Sequence, residues 1–176
     1  GYVTLDANTT GANNTAVGRS ALGANTTAGQ NTGVGYLALG ANTTAAAQVA
    51  VGAYAAALTT TGEHNTAVGQ AALYTNTTGA YNTALGTKSL YLATTASNNT
   101  AIGYNTLYAN TTGNENTALG YYALKANTVG DRNVSLGSWS LHSFNPGSNA
   151  DTYNTAVGYN ALGSTTTGDK NTAVGG

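Results

Sequence analysis

The side chains able to do chemistry are few and scattered. His64 and His142 fall in different parts of the chain. Neither has a second histidine at i+4 or a cysteine beside it, the spacings that hold a metal. The carboxylates are Asp6, Glu63, Glu115, Asp131, Asp151 and Asp169, and two of them adjoin a base, as Asp131-Arg132 and Asp169-Lys170. Adjacent turn charges of this kind are ordinary surface, whereas acid–base catalysis needs buried groups with displaced pKa values. There is no Gly-Lys-Ser/Thr phosphate loop, and no serine has the setting of a nucleophile. Catalytic residues, metal ligands and cofactor contacts are therefore expected to be absent, and the protein is read as not an enzyme.

Two groups of residues are candidates for binding instead. Tyrosines recur along the chain at Tyr36, Tyr104, Tyr121 and Tyr159, and in a second series at Tyr74, Tyr91 and Tyr108. Ladders of this kind either pack along a stacked fold or offer rings to sugars and partner proteins. The second group is Trp139, His142, Phe144 and Asn145, leading into Pro146-Gly147-Ser148-Asn149. It holds the only Trp, Phe and Pro of the chain. A loop there would be a contact site; the alternative is a tolerated insertion whose aromatics cover a local gap.

What positions these residues is a repeat. Glycines at 18, 35, 52, 69, 86, 103, 120, 137, 158 and 175 stand 17 residues apart, except for one step of 21 between Gly137 and Gly158. The Tyr series fall one and five places after the glycine. The carboxylates, Asp6 apart, fall five to seven places before it. Four places before it stands Asn, as in Asn65, Asn82, Asn99 and Asn116, replaced once by Gln48. The residue before it is always Val, Leu or Ile, and the one before that is small, usually Ala. Four places after it stands Leu, from Leu22 to Leu162, with Ala56 as the exception. Thr-Thr follows at eight and nine places, as in Thr26-Thr27 and Thr77-Thr78.

A 17-residue unit is too short for a helix pair, and its Thr, Val, Gly and Asn are poor helix formers. The pattern predicts two short strands per unit, Thr-Ala-Val-Gly-x and x-Ala-Leu-x. Units stacked at the strand spacing of about 4.8 Å would give a parallel β-solenoid roughly 48 Å long. Val on Val and Leu on Leu would form a thin core, with Asn amides bonded along the axis. Alternation gives each Thr-Ala-Val strand one aliphatic and one very small side. The small side either fills a narrow interior or receives another chain. Residues 1–176 form a single array of about ten coils, with the four extra residues between 138 and 157. The array begins and ends inside repeat sequence, as a piece of a longer protein would.

Composition narrows the role. Charged residues make up 6% and the net charge is -1, against about 25% in an average domain. That offers no footprint for nucleic acid. No apolar run is long enough to insert in a membrane, and without Cys there are no disulfides. The Asn-Thr-Thr sequons at Asn8, Asn25, Asn42, Asn76 and Asn110 are by-products of the repeat, and Asn98 begins one more.

Units such as Asn65-Thr66-Ala67-Val68-Gly69-Gln70-Ala71-Ala72-Leu73 resemble the repeats of phage tail-fibre proteins and related bacterial surface fibres. Asn99-Thr100-Ala101-Ile102-Gly103 is similar to the head repeat of trimeric autotransporter adhesins, which is shorter. The resemblance implies a left-handed β-roll or β-helix, usually homotrimeric, displayed outside the cell on a virion tail or bacterial surface. The expected function is a structural shaft that supports attachment, with self-association as trimer or end-to-end filament and a cell-surface glycan or receptor as partner. Two other functions fit the residues: ice binding through Thr arrays, and carbohydrate binding through the Tyr ladders.

Overall fold

The computed structural model describes residues 1–148 and 150–176; Asn149 lies outside them. The chain is all-β, a parallel β-solenoid with coils of roughly 17 residues. Its main sheet has ten strands: β1 (Thr15–Val17), β2 (Thr32–Val34), β3 (Val49–Val51), β4 (Thr66–Val68), β5 (Thr83–Leu85), β6 (Thr100–Ile102), β7 (Thr117–Leu119), β9 (Val134–Leu136), β11 (Thr155–Val157) and β12 (Thr172–Val174). Each pairs in parallel with the equivalent residues of the next coil, so that Thr66 faces Thr83 and Ala67 faces Ala84. A two-stranded sheet, β8 (Gly130–Asp131) with β10 (Ala150–Asp151), accompanies the irregular coil.

The strands are three residues long because the repeat glycine ends them. Gly69 has φ +131°, and a Cβ there would lie 2.6 Å from the carbonyl carbon of Gly86 in the next coil. Only glycine satisfies both the dihedral and the close approach.

The second expected strand does not form. The Ala-Leu segment is a turn, and its leucine is left-handed, as at Leu73 (φ 54°) and Leu90 (φ 49°). Each coil repeats this conformation at three non-glycine positions, such as His64, Ala71 and Leu73. A left-handed L-residue costs about 1–2 kcal/mol. Burial of a leucine side chain returns about 1.5–3 kcal/mol, and Leu73, Leu90 and Leu107 are fully buried. The turn also keeps the inter-coil ladder, since Leu73 N donates to Ser89 O at 2.9 Å and Leu90 N to Thr106 O at 3.0 Å.

The core is made of Leu and Ala, and the expectation that Val stacks inside is overturned. Ala67, Ala84, Ala101 and Ala118 are completely buried, whereas Ile102 is 36% and Leu119 48% exposed. The reason is the narrow cross-section. A Cβ added at Gly33, on the inward side of β2, would lie 3.3 Å from Leu22 Cγ. Between the strand and the leucine wall there is room for Gly, Ala or Ser and not for a branched aliphatic side chain. In one coil two serines take the alanine places, and Ser135 Oγ and Ser140 Oγ share a hydrogen bond of 2.6 Å.

Asparagine forms two ladders. In the column before the strand, Asn65 Oδ1 accepts both the backbone N–H and the side-chain amide of Asn82, at 2.9 and 3.1 Å. Asn99, Asn116 and Asn133 continue the same pattern. The second ladder is the sequon column. Asn25 Nδ2 donates to Asn8 Oδ1, Asn42 Nδ2 to Asn25 Oδ1, and Asn127 Nδ2 to Asn110 Oδ1. Asn25, Asn42, Asn76 and Asn110 are therefore fully buried. The amide of Asn76 also caps its own turn by donating to Gly79 O at 3.0 Å.

Candidate functional site

Two long surfaces and one short cluster of side chains follow from this coil. The first surface is the outer side of the main sheet. Its two ranks are Thr15, Thr32, Val49, Thr66, Thr83, Thr100, Thr117, Val134, Thr155, Thr172 and, two residues on, the Val/Leu/Ile column. No charged residue enters either rank. Strand pairing in register makes the rows straight and evenly spaced.

The Thr-Thr pairs of the opposite turn behave differently. The first hydroxyl of each pair is spent along the axis: Thr77 Oγ1 donates to Thr94 O and Thr94 Oγ1 to Thr111 O, both at 3.1 Å. In the inner coils the second member, such as Thr44, Thr61, Thr78 and Thr95, is exposed, whereas the first, such as Thr43, Thr60, Thr77 and Thr94, is half-buried.

The second surface is the corner just after the repeat glycine, where the Tyr ladders lie. Tyr74 stacks on Tyr91 at 5.3 Å between centroids, and Tyr91 on Tyr108 at 5.2 Å, each pair within 8° of parallel. Tyr104 stacks on Tyr121 at 5.5 Å. Sequence reading missed the rings that join these pieces. Tyr54, two places after its glycine, meets Tyr36 edge-on at 5.0 Å and Tyr74 at 6.1 Å. Tyr122, in the same register, lies 4.2 Å from Tyr121 and 5.0 Å from Trp139. The signal was a third aromatic column: Tyr54, Tyr122 and Trp139 each stand two after a repeat glycine. Tyr159 is 68% exposed and makes no ring contact among the described residues.

The four residues expected in a contact loop are placed elsewhere. Trp139 and His142 occupy regular positions at the end of the aromatic corner, with their rings 4.4 Å apart. Phe144 is fully buried and fills the slot that Asn127 holds one coil earlier, so it presents no side chain to a partner. Asn145 accepts a hydrogen bond of 2.8 Å from Thr128 Oγ1 and continues the threonine column. The extra residues come later. Pairing of Gly130 with Ala150 shows three of them between Asn145 and Ala150. The fourth is added before Asn154, which bonds Asn133 across 21 positions. Thr152 is taken into the asparagine ladder, donating to Asp131 O at 2.8 Å or Asn133 Oδ1 at 2.9 Å.

Titration follows these neighbours. Burial, and then the charge of Lys125, lower the pKa of His142. The hydrogen bond from Asn105, followed by that of Tyr121, lowers Tyr122, while its bond to Tyr122 raises Tyr121. Burial, then Tyr36, raise Tyr54. At the other corner Arg132 binds Glu115 at 2.9 Å and also contacts Asp151, and the Glu115 hydrogen bond holds its pKa above the usual value. His64 stacks on Tyr81 at 5.1 Å, with Glu63 3.9 Å away. Among the described residues no group of three His, Cys, Asp or Glu side chains is placed to hold a metal ion, and no helix is long and apolar enough to cross a membrane. Comparison with family models, curated proteins and solved structures finds no match to this chain.

Proposed function

We propose that this chain is a non-catalytic structural segment of an extracellular fibre, such as a tail fibre or surface adhesin, whose copies associate as homotrimers through the outer face of the sheet. One observation carries the reading: the rank Val17 to Val174 is aliphatic in all ten strands and faces outward. Solvent-facing sheets normally carry polar residues there, and contiguous exposed apolar rows of this length mark interfaces. The inward alanines leave the outward aliphatics as the surface through which chains meet. The face measures about 48 by 10 Å, or roughly 500 Å², at standard strand spacing. That is below the about 800 Å² per partner of a stable interface. Association therefore uses the flanks of the face as well, and it strengthens as coils are added. Attachment to a host or surface belongs to what such a shaft carries.

Light scattering after size exclusion tests this. The expected mass is three times 17.5 kDa; a monomer at high micromolar concentration refutes it. Val68→Lys with Leu119→Lys is expected to give a folded monomer. Ice binding is the second reading, and the evenly spaced, uncharged Thr rank of the same face favours it over the Thr-Thr turn. A monomer with thermal hysteresis would establish it.

A further inference from the structure

The aromatic corner carries a chemistry that a shaft does not require. We propose that it is a track for an extended, linear acidic polysaccharide lying along the solenoid axis. Rings follow one another over consecutive coils from Tyr36 through Tyr54, Tyr74 and Tyr91 to Tyr108, all within 6.1 Å of the next. Tyr104, Tyr121, Tyr122 and Trp139 form a second run of touching rings on the same corner. Each coil advances by about 4.8 Å, close to the length of one sugar in an extended β-linked chain. Rings in mutual contact leave no gap for a sugar between them, so the polymer lies across their outer rims. There sugar hydroxyls meet the phenols, and sugar C–H groups pack against the ring edges. A depression of about 320 Å³, lined by Tyr54, Gln70, Ala71, Tyr74, Lys88 and Tyr91, lies midway along the strip.

Charge selects the class of polymer. Three of the five Lys and Arg side chains are on this corner: Arg19 lies over Tyr2 and Tyr36, Lys88 over Tyr91, and Lys125 4.6 Å over Tyr122. None of the three is in an ion pair among the described residues. All carboxylates except Asp6 are on the far side of the strand, five to seven places before the glycine, where Arg132 engages two of them. A net charge of -1 thus hides a basic aromatic corner and an acidic one. Three widely spaced cations are too few to hold a polyphosphate against physiological salt, but they suit a polymer with one carboxylate per disaccharide.

The test is titration of the intact chain with hyaluronate oligosaccharides of increasing length, read by calorimetry and by fluorescence of Trp139, the sole tryptophan. Affinity is expected to rise with oligomer length and to exceed that for neutral cello-oligosaccharides of equal length by about tenfold. Tyr74→Ala with Tyr91→Ala is expected to weaken binding more than about tenfold. Lys88→Gln with Lys125→Gln, surface changes that leave the rings in place, should abolish the preference for the acidic polymer while melting as the native chain does. No heat and no fluorescence change at saturating hyaluronate would overturn the proposal. So would equal affinity for the neutral polymer, unchanged binding by the lysine variants, or tighter binding of oligothymidylate. None of these outcomes depends on the trimer, because the native oligomeric state is the same in every titration.

Discussion

Ala93→Asn is expected to stabilise this protein. The sequon ladder is interrupted at Thr59, Ala93 and Phe144. Before Phe144 the oxygen of Asn127 accepts from Gly130 N, but the first two gaps leave the preceding amide oxygen without a protein partner: Asn42 Oδ1 before Thr59 and Asn76 Oδ1 before Ala93. A buried acceptor without a partner costs about 1–3 kcal/mol. An asparagine at 93 would donate to Asn76 Oδ1 and to Ala96 O, repeating what Asn127 does with Asn110 Oδ1 and Gly130 O at 3.0 and 2.9 Å. It would also accept from the amide of Asn110, which now bonds Gly113 O alone. The slot admits the side chain in the coils on either side, Asn76 and Asn110, so overpacking is small. Subtracting the cost of burying a new amide leaves about 1–2 kcal/mol, or a rise in Tm of about 2–8 °C for a chain of this size. Circular-dichroism melting of Ala93→Asn beside Ala93→Leu is the assay. The leucine has the same branched heavy-atom shape, is bulkier and cannot donate, so it should melt at or below the native chain. If the asparagine variant melts no higher than the leucine variant, the account of the ladder is wrong.

Gly69→Ala combines a forbidden dihedral with a Cβ 2.6 Å from Gly86, whereas Gly175 has φ +134° and nothing within 4 Å. Gly69→Ala should therefore cost about 3–5 kcal/mol, and Gly175→Ala about 1–3 kcal/mol at most; equal melting shifts would refute the contact argument. Ala67→Val, directed inward, is expected to destabilise by about 1–3 kcal/mol, while Val68→Ala, directed outward, should shift monomer stability by less than about 0.5 kcal/mol; denaturant midpoints separate them. The folded pKa of His142 lies below its ordinary 6.5, so the unfolded chain binds the proton more readily. Stability should be unaffected by this group above that pH and fall as pH drops through it towards the folded value. His142→Gln should flatten the melting temperature between neutral and mildly acidic pH, and an unchanged slope would count against the assignment.

Much of this fold is legible in the sequence because stacking makes it one-dimensional. The spacing of Gly69 and Gly86 predicts the coil, and Asn65 above Asn82 predicts the amide ladder. Which side of Thr-Ala-Val faces inward is not legible. Alternation says only that Ala67 and Val68 point oppositely, and the choice rests on the width of the coil. That width depends on Leu73 and its equivalents being left-handed, a conformation leucine propensity argues against. Phe144 misleads for a related reason. Its change of composition suggests a loop, yet it fills a buried asparagine slot. The Tyr ladders are legible as periodic columns, and Tyr54, Tyr122 and Trp139 as a sparser third one; that Tyr54 links Tyr36 to Tyr74 emerges only when the corner is seen in three dimensions.

The left-handed residues have a consequence for how the array is made. Three per coil, as at His64, Ala71 and Leu73, set an unfavourable local term of about 3–6 kcal/mol against any coil standing alone. A coil laid on a finished neighbour recovers that term through the ladder and the leucine wall. The first coils are therefore a nucleus and every later one is templated, as in a one-dimensional chain of coupled units. Assembly should show a lag that preformed coils abolish, and loss of structure should begin at an end and run inward.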